Sequence, residues 1–305
     1  MKSFTATLPY DLNRWRKPIT FGLFVLVCIL LASIALFSNF GDDWEIFRGA
    51  TLNLISGQNP YTGGIYNPPW AFIPLIPLSL LPHAIGVDIV TLLCLASFTF
   101  VGIKFGATPV QIIILILSPP VLFLAFNGNI DWIVILGYLM PPQIGLFFVL
   151  MKPQIGFVIA IYWMVEAWRK GGVKQMLITF GPVTLAYIFS FVVYGPVILG
   201  AGSVERLVDR GWSWDANLFP LSIPIGMILV ALAIQKRSKN TAILASPFFM
   251  PYMAFYSWPA IMFGLLPNRA IFTVGVIGLW IVYFLAGWPS PVAHLPLDHL
   301  LIFGR

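Results

Sequence analysis

Long apolar stretches alternate with short polar ones along the chain, and the apolar stretches set its architecture. Ile19 to Phe37 and Ala270 to Ala286 run almost without interruption, close to the ~20 residues with which an α-helix crosses a bilayer. The same pattern predicts full crossings at 18–38, 86–104, 109–126, 154–168, 175–199, 218–235 and 270–288. Two further apolar regions, 131–151 and 241–266, are broken by proline, at Pro141-Pro142 in the first and at Pro247 and Pro251 in the second. Each fragment is about half a span. Backbone that leaves the helical path at membrane depth survives only against protein or a water-filled cavity, since lipid offers it no hydrogen-bond partner. The predicted fold class is therefore all-α: a polytopic transmembrane helical bundle whose broken or re-entrant helices line a cavity, forming a single domain over 1–305.

Composition agrees with that pattern. Hydrophobic residues make up 59% of the chain and charged residues 9%, against roughly 25% charged in a soluble domain, so lipid is the main solvent. The first apolar segment is followed by an acidic loop with no small-residue cleavage site and reads as a retained helix rather than a signal peptide. Cys28 and Cys94 fall inside apolar segments, where cysteine behaves as a small hydrophobe. No Cys or His spacing suggests a metal site, and a divalent metal requirement stays open. The net charge of +6 does not signal nucleic acid, because the basic residues form short clusters between apolar segments.

Those clusters give orientation. Lys2, Arg14, Arg16 and Lys17 precede the first crossing, and basic flanks stay cytoplasmic. The alternation then places Lys104, the cluster Arg169, Lys170 and Lys174, the cluster Lys236, Arg237 and Lys239, and Arg269 on the cytoplasmic side with the N-terminus. On the opposite side fall Asp42, Asp43, Glu45, Asp131, Glu205, Asp209, Asp215 and Asp298. The expected location is the plasma membrane, multi-pass, with the chemically equipped face extracytoplasmic.

Candidate chemistry collects on that face. Residues 39–70 form a first outer loop in which Asp42 is placed as N-cap of an interfacial helix, with Trp44, Phe47, Leu52 and Ile55 as its apolar face and Asp43 and Glu45 in its first turn. Capping and catalysis use the same residue types, so both uses of these acids stay open. Gly57 to Tyr61 and Tyr66 to Trp70 read as turn chemistry with an aromatic belt. Asp131, after Asn127-Gly128-Asn129-Ile130, borders directly on apolar sequence, where acids are expensive and tend to be functional. Lys152 lies between Leu150-Met151 and Pro153 with no charged neighbour along the chain; it either snorkels to the interface or binds an anion such as a phosphate. A second outer loop, 200–217, carries Arg206 and Arg210 on one helical face beside Glu205 and Asp209, a salt-bridged loop or a phosphate clamp. Trp212 and Trp214 in the same loop suit interfacial anchoring.

Taken in order, the acid after the first helix, GQNPY, YNPPW followed by PLIPLSLLP, SPP and a GN turn (Ser118 to Asn129), KPQ with its basic cluster (Lys152 to Lys170), and a late SP..PY (Ser246 to Tyr252) resemble a known family. That family is the polyprenyl-phosphate-mannose-dependent α-mannosyltransferases of the GT-C superfamily, glycosyltransferase family 87, and the resemblance runs over roughly residues 40 to 255. It implies inverting transfer of a sugar, mannose by analogy, from a polyprenyl-phosphate donor to a glycan or glycolipid hydroxyl on the extracytoplasmic face. It implies Asp43 as general base with Asp42 as alternate, and Lys152, Arg206 and Arg210 at the donor phosphate. Substrate contacts are implied at Tyr61, Tyr66, Asn67, Asn129, Asp131, Gln154 and Tyr252. The lipid-phosphate sugar enters as co-substrate, with membrane lipids, donor and acceptor as partners. The chain departs from the family in being shorter, in carrying Asp131 at the end of its GN turn, and in following Tyr252 with Met253 and Ala254 rather than an acid. The competing class is a lipid-linked-sugar flippase or other transporter, which also uses broken helices but predicts polar groups reaching both faces.

Overall fold

The computed structural model describes residues 22, 41–196, 216 and 218–285. Apart from Gly22, the predicted crossing 18–38 lies outside the described residues, as do the loop carrying Arg206 and Arg210 and Asp298. Among the described residues every regular element is helical and none is a strand. In chain order the α-helices longer than one turn are α1 (Asp42–Ile55), α2 (His83–Lys104), α3 (Pro109–Ile116), α4 (Pro119–Asn127), α5 (Asp131–Gly137), α6 (Pro142–Val149), α7 (Pro153–Tyr194), α8 (Ile223–Gln235), α9 (Lys239–Ala245) and α10 (Arg269–Leu285), with a single turn at Ile76–Ser79 between α1 and α2. Two of them, α2 and α7, are long and apolar enough to cross a membrane. The chain is an all-α protein of membrane character.

Proline and glycine explain where the helices depart from the predicted crossings. The segment expected as one span at 109–126 is two helices, α3 and α4, bent by 63°. Pro119 and Pro120 lack the N–H groups that would continue α3, and Ser118 before them is extended (φ −66°, ψ 142°), as a residue preceding proline prefers. At Gly171 and Gly172 α7 leaves helical geometry, Gly172 adopting φ 54° and ψ −142°. That break falls inside the basic cluster between the crossings expected at 154–168 and 175–199. The second arm folds back on the first, since the Tyr187 hydroxyl donates to Leu150 O at 2.9 Å. The crossing expected over 218–235 is helical only over Ile223–Gln235, and that helix is short for a span by itself.

Both proline-broken regions are hairpins. The first is α5 and α6 joined by the turn ending at Pro141; its two ends, Asp131 and Lys152, form an ion pair. The second leads from α9 through a 3₁₀ turn at Ser246–Phe249 and an unwound stretch into the 3₁₀ helix Phe255–Leu265. Its ends approach so closely that a Cβ on Gly264 would stand 2.4 Å from Asn240 O. The hairpins enter from opposite ends of the molecule. Lys239, at the open end of the second, donates to Tyr138 O at the tip of the first at 2.8 Å. Between that contact and the ends of the first hairpin the packing is apolar, with Val134, Ile135, Leu146, Val149, Ile155 and Ile159 all buried.

The basic clusters share the end where the second hairpin opens. Arg169 pairs with Glu166 at 2.8 Å and donates to Ile234 O at 3.0 Å. Tyr162 donates to Arg237 O at 3.1 Å, and Lys239 lies 5.0 Å from the ring centroid of Phe105, next to Lys104.

Close approach of α6 and α7 depends on Gly156, where a Cβ would stand 1.9 Å from Val149 O. Overpacking of this kind costs about 1–3 kcal/mol. Gly156→Ala is therefore expected to lower the melting temperature of the detergent-purified protein, whereas Gly181→Ala, at a position with no neighbour within 4 Å, should leave it unchanged in a fluorescence melt.

Candidate functional site

The site begins with how α1 is seated. Sequence placed Asp42 as the N-cap; in the structure the cap is Gly41 in a left-handed conformation (φ 109°), and Asp42 is already the first helical residue. Gly41 fits because it adopts positive φ at little cost. Its carbonyl accepts from Glu45 N at 2.8 Å. Asp42, Asp43 and Glu45 do occupy the first turn, where the helix dipole favours acids. The buried face is Trp44, Phe47, Ala50 and Thr51. Ile55, expected on the apolar face, is exposed, and Leu52 is only partly covered, because the covered face of α1 packs on Pro60–Gly63 and Ile76–Ser79, with α2 and α4 behind Trp44.

Trp44, with no exposed surface, is the anchor. A Cβ on Gly86 of α2 would lie 2.8 Å from its indole ring, and a Cβ on Gly128 would lie 2.6 Å from its Cβ. Gly128 also ends α4 at φ 72°, so it alone supplies both the turn and the space. This fit brings the residue before Trp44 against the turn that flanks Gly128. Asp43 Oδ2 accepts from Asn129 Nδ2 at 2.8 Å and from Asn127 Nδ2 at 3.4 Å.

Asn129 is the junction. Its Oδ1 accepts from Lys152 Nζ at 3.1 Å and from Ile130 N at 2.7 Å, while its Nδ2 also lies 3.4 Å from the Tyr256 hydroxyl. Lys152 donates to Asp131 Oδ1 as well and stands 5.1 Å from the centroid of the Tyr256 ring. Asp131 is fully buried and the Lys152 side chain is 12% exposed. The site thus reads Asp131, Lys152, Asn129, Asp43 in sequence of contact. Burial raises the Asp43 carboxyl above the ordinary range; the Asn129 hydrogen bond and the charge of Lys152 lower it in part, and Asp131 and Asp42 act in the raising direction.

A second set of contacts fixes Lys152. It caps α7 immediately before Pro153, and the turn leading to it exposes the last carbonyls of α6. Trp70 Nε1 donates to Phe147 O at 2.8 Å, Asn67 Nδ2 to Met151 O at 2.8 Å, and Tyr187 to Leu150 O. Asn67 O in turn accepts from the Tyr61 hydroxyl at 3.1 Å, and Asn59 Oδ1 accepts from Tyr61 N. The Tyr61 ring packs edge-on against Tyr194 at 5.2 Å. The NPY and YNPPW segments therefore hold the backbone under Lys152.

Of the residues singled out from sequence, Asp43, Asn129, Asp131 and Lys152 come together. Tyr61 and Asn67 stand one layer back as supports, and Tyr66 is half-buried in the same loop. Asp42 is exposed. Gln154 lies in the first turn of α7 with its Oε1 buried and without a protein partner among the described residues. Tyr252 sits in the unwound stretch of the second hairpin, within electrostatic reach of the Tyr256 hydroxyl. Arg206 and Arg210 lie outside the described residues. Asn127, Tyr256 and His83 were not chosen from sequence. Asn127 stood in the same GN turn, and Tyr256 follows Tyr252 by four residues, a spacing that carries little weight in an unwound segment. His83 comes close to Gly41 from the start of α2, its Cε1 3.3 Å from where a Gly41 Cβ would be; no local pattern marks that approach. Among the described residues no group of three or more His, Cys, Asp or Glu is placed to hold a metal ion.

Fold and site together define an all-helical membrane protein with a buried ion pair and a hydrogen-bonded carboxylate gathered at one end. No family model, curated protein or solved structure matches the chain.

Gly128→Ala tests the seating of α1. The added methyl meets Trp44 Cβ and the backbone keeps its positive φ, which together are expected to cost about 2 kcal/mol or more. A lower melting temperature in detergent is the expected readout, and an unchanged one would show that Trp44 does not hold α1 there.

Proposed function

We propose that the chain is a membrane glycosyltransferase that moves a sugar, mannose by the family resemblance, from a polyprenyl-phosphate donor to a hydroxyl of a glycan or glycolipid. The observation that carries this reading is the half-buried Asp43, held by two asparagine side chains with Lys152 on the far side of Asn129. The positive-inside rule adds the side of action: the basic clusters share one end, which the rule assigns to the cytoplasm, so Asp43 faces the extracytoplasmic side of the plasma membrane. In this reading the fold is a polytopic GT-C-like bundle, and the hairpin ends border its cavity.

The chemistry follows from the carboxylate. Asp43 takes the proton of the acceptor hydroxyl while that oxygen bonds to the sugar C1 on the face opposite the phosphate. The C1–O bond to phosphate breaks, its electron pair leaves on polyprenyl phosphate, and the anomeric configuration inverts. Burial suits Asp43 to this work, since a base with a raised proton affinity is a better acceptor near neutral pH. Cations near the leaving phosphate stabilise its developing charge. Of the three cations expected there from sequence, Lys152 is already paired with Asp131 and Asn129, which leaves Arg206 and Arg210, outside the described residues, for that role.

Opposed hairpins are also a device of transporters. A transport path needs polar groups linking the two ends, whereas the space between the site and Lys239 is filled by buried aliphatic side chains. That filling supports one-sided chemistry.

The test is transfer of labelled sugar from polyprenyl-phosphate-mannose in membranes. Asp43→Asn is expected to lower transfer by roughly 10²–10⁴-fold, the usual contribution of a general base, while Asp42→Asn retains most of it. Full activity in Asp43→Asn would overturn the assignment of the base.

A further inference from the structure

Lys152 is the obvious partner for a lipid phosphate, yet its surroundings give it other work. An ammonium has three donors and no acceptor. One goes to Asp131 Oδ1 and one to Asn129 Oδ1, and the Tyr256 ring lies 5.1 Å away. Little of its surface is exposed, and the carbonyls of the turn that carries it are pinned by Asn67, Trp70 and Tyr187. To reach a phosphate the ammonium would have to leave Asp131 as a buried, unpaired carboxylate, a costly arrangement.

The Asn129 carboxamide connects this fixed charge to Asp43. Its oxygen must face Lys152 and the Ile130 N–H, both of which only donate; its NH₂ must face the Asp43 carboxylate, which only accepts. One amide orientation satisfies all three neighbours. Turned over, the same group would set an N–H₂ against an ammonium and an oxygen against a carboxylate.

On the glycosyltransferase reading above, we propose that Lys152 is a positioning residue for Asp43: anchored by Asp131, it locks the Asn129 carboxamide so that its NH₂ stays presented to the Asp43 carboxylate. Asn129 is the go-between, and Asp131 serves the lysine rather than the substrate. The other ionisable groups near Asp43 are Asp42 on its own helix and the Tyr256 hydroxyl beyond Asn129, while His83 at the start of α2 lies beside Gly41, two residues away.

The experiment reads the protonation of Asp43 directly. Infrared titration of the detergent-purified full chain, with Asp43→Asn subtracted to isolate the signal, gives its midpoint without any need for turnover. In Lys152→Met and in Asn129→Ala the midpoint is expected to rise by about 1 pH unit, the size of effect that a nearby opposite charge or hydrogen bond exerts on a carboxyl. Lys152→Arg, which keeps the charge, should stay near wild type. Because Lys152→Met strands Asp131, the double variant Lys152→Met with Asp131→Asn is measured too; it carries no buried unpaired charge, and its midpoint should also rise. In transfer assays the acid limb of the rate profile should move to higher pH by about the same 1 unit, with kcat on that limb falling by up to about 10-fold while donor KM stays within about 3-fold. An unmoved midpoint in these variants, or a donor KM that rises with kcat and the acid limb unchanged, would overturn the proposal, the latter by making Lys152 a phosphate ligand. A shifted midpoint in a protein whose wild type transfers no sugar would instead keep the positioning role and sink the glycosyltransferase reading.

Discussion

Taking a lysine ammonium and an aspartate carboxylate out of water is costly unless each meets the other with good geometry, and at the ends of the α5–α6 hairpin Lys152 and Asp131 do meet. The hairpin's fragments are each half the length of a span, so they cannot cross the bilayer alone and must pack against protein. Pairing its two ends closes it. The pair also fixes where α7 starts, since Lys152 is the residue before Pro153, and that start is held by donors from the first loop and from the returning arm of α7. Removing one partner from such a pair typically costs about 3–5 kcal/mol, because the other charge stays buried and uncompensated.

Asp43 belongs to this arrangement through backbone fit rather than through charge. Trp44 lies against Gly86 and Gly128, positions where any side chain would collide with it. The residue next to Trp44 then has no choice but to face the asparagines on either side of Gly128. The consequence is a carboxylate whose burial raises its proton affinity while a hydrogen bond and a neighbouring cation restrain that rise. A carboxylate with raised proton affinity is the kind of group a general base needs.

The class of fold was legible because apolar length and proline breaks are local signals. The two broken regions, the shared end of the basic residues around Lys104, Arg169 and Lys236 to Lys239, and the acidic first turn of α1 appear where the pattern put them. The bend between α3 and α4 was not read, although Ser118-Pro119-Pro120 marks it, because the apolar run across it is continuous. The N-cap was misplaced by one residue, since a left-handed glycine cap looks in sequence like any loop glycine; of the apolar face expected for α1, Trp44 and Phe47 are buried while Leu52 is partly covered and Ile55 exposed, because how far along α1 the packing reaches is a tertiary fact. Asp43, Asn129, Asp131 and Lys152 were each chosen singly. Their mutual contacts, across separations of 84 to 86 residues between Asp43 and the asparagines, are not written in any local spacing. Nor is the role of Asn67 and Trp70, which a sequence presents as loop polarity and aromatic belt, and which here cap carbonyls beneath Lys152.

On the function proposed above, Asp43, held by Asn129, faces the reacting carbon of a lipid-phosphate sugar. A structure of the full chain with Asp43→Asn, bound to polyprenyl-phosphate-mannose in lipid nanodiscs, tests it most directly. The sugar C1 is expected beside residue 43, with Lys152 still paired to Asp131. A lipid phosphate seated instead at the opposite end, among Arg169, Arg237 and Lys239, would contradict it.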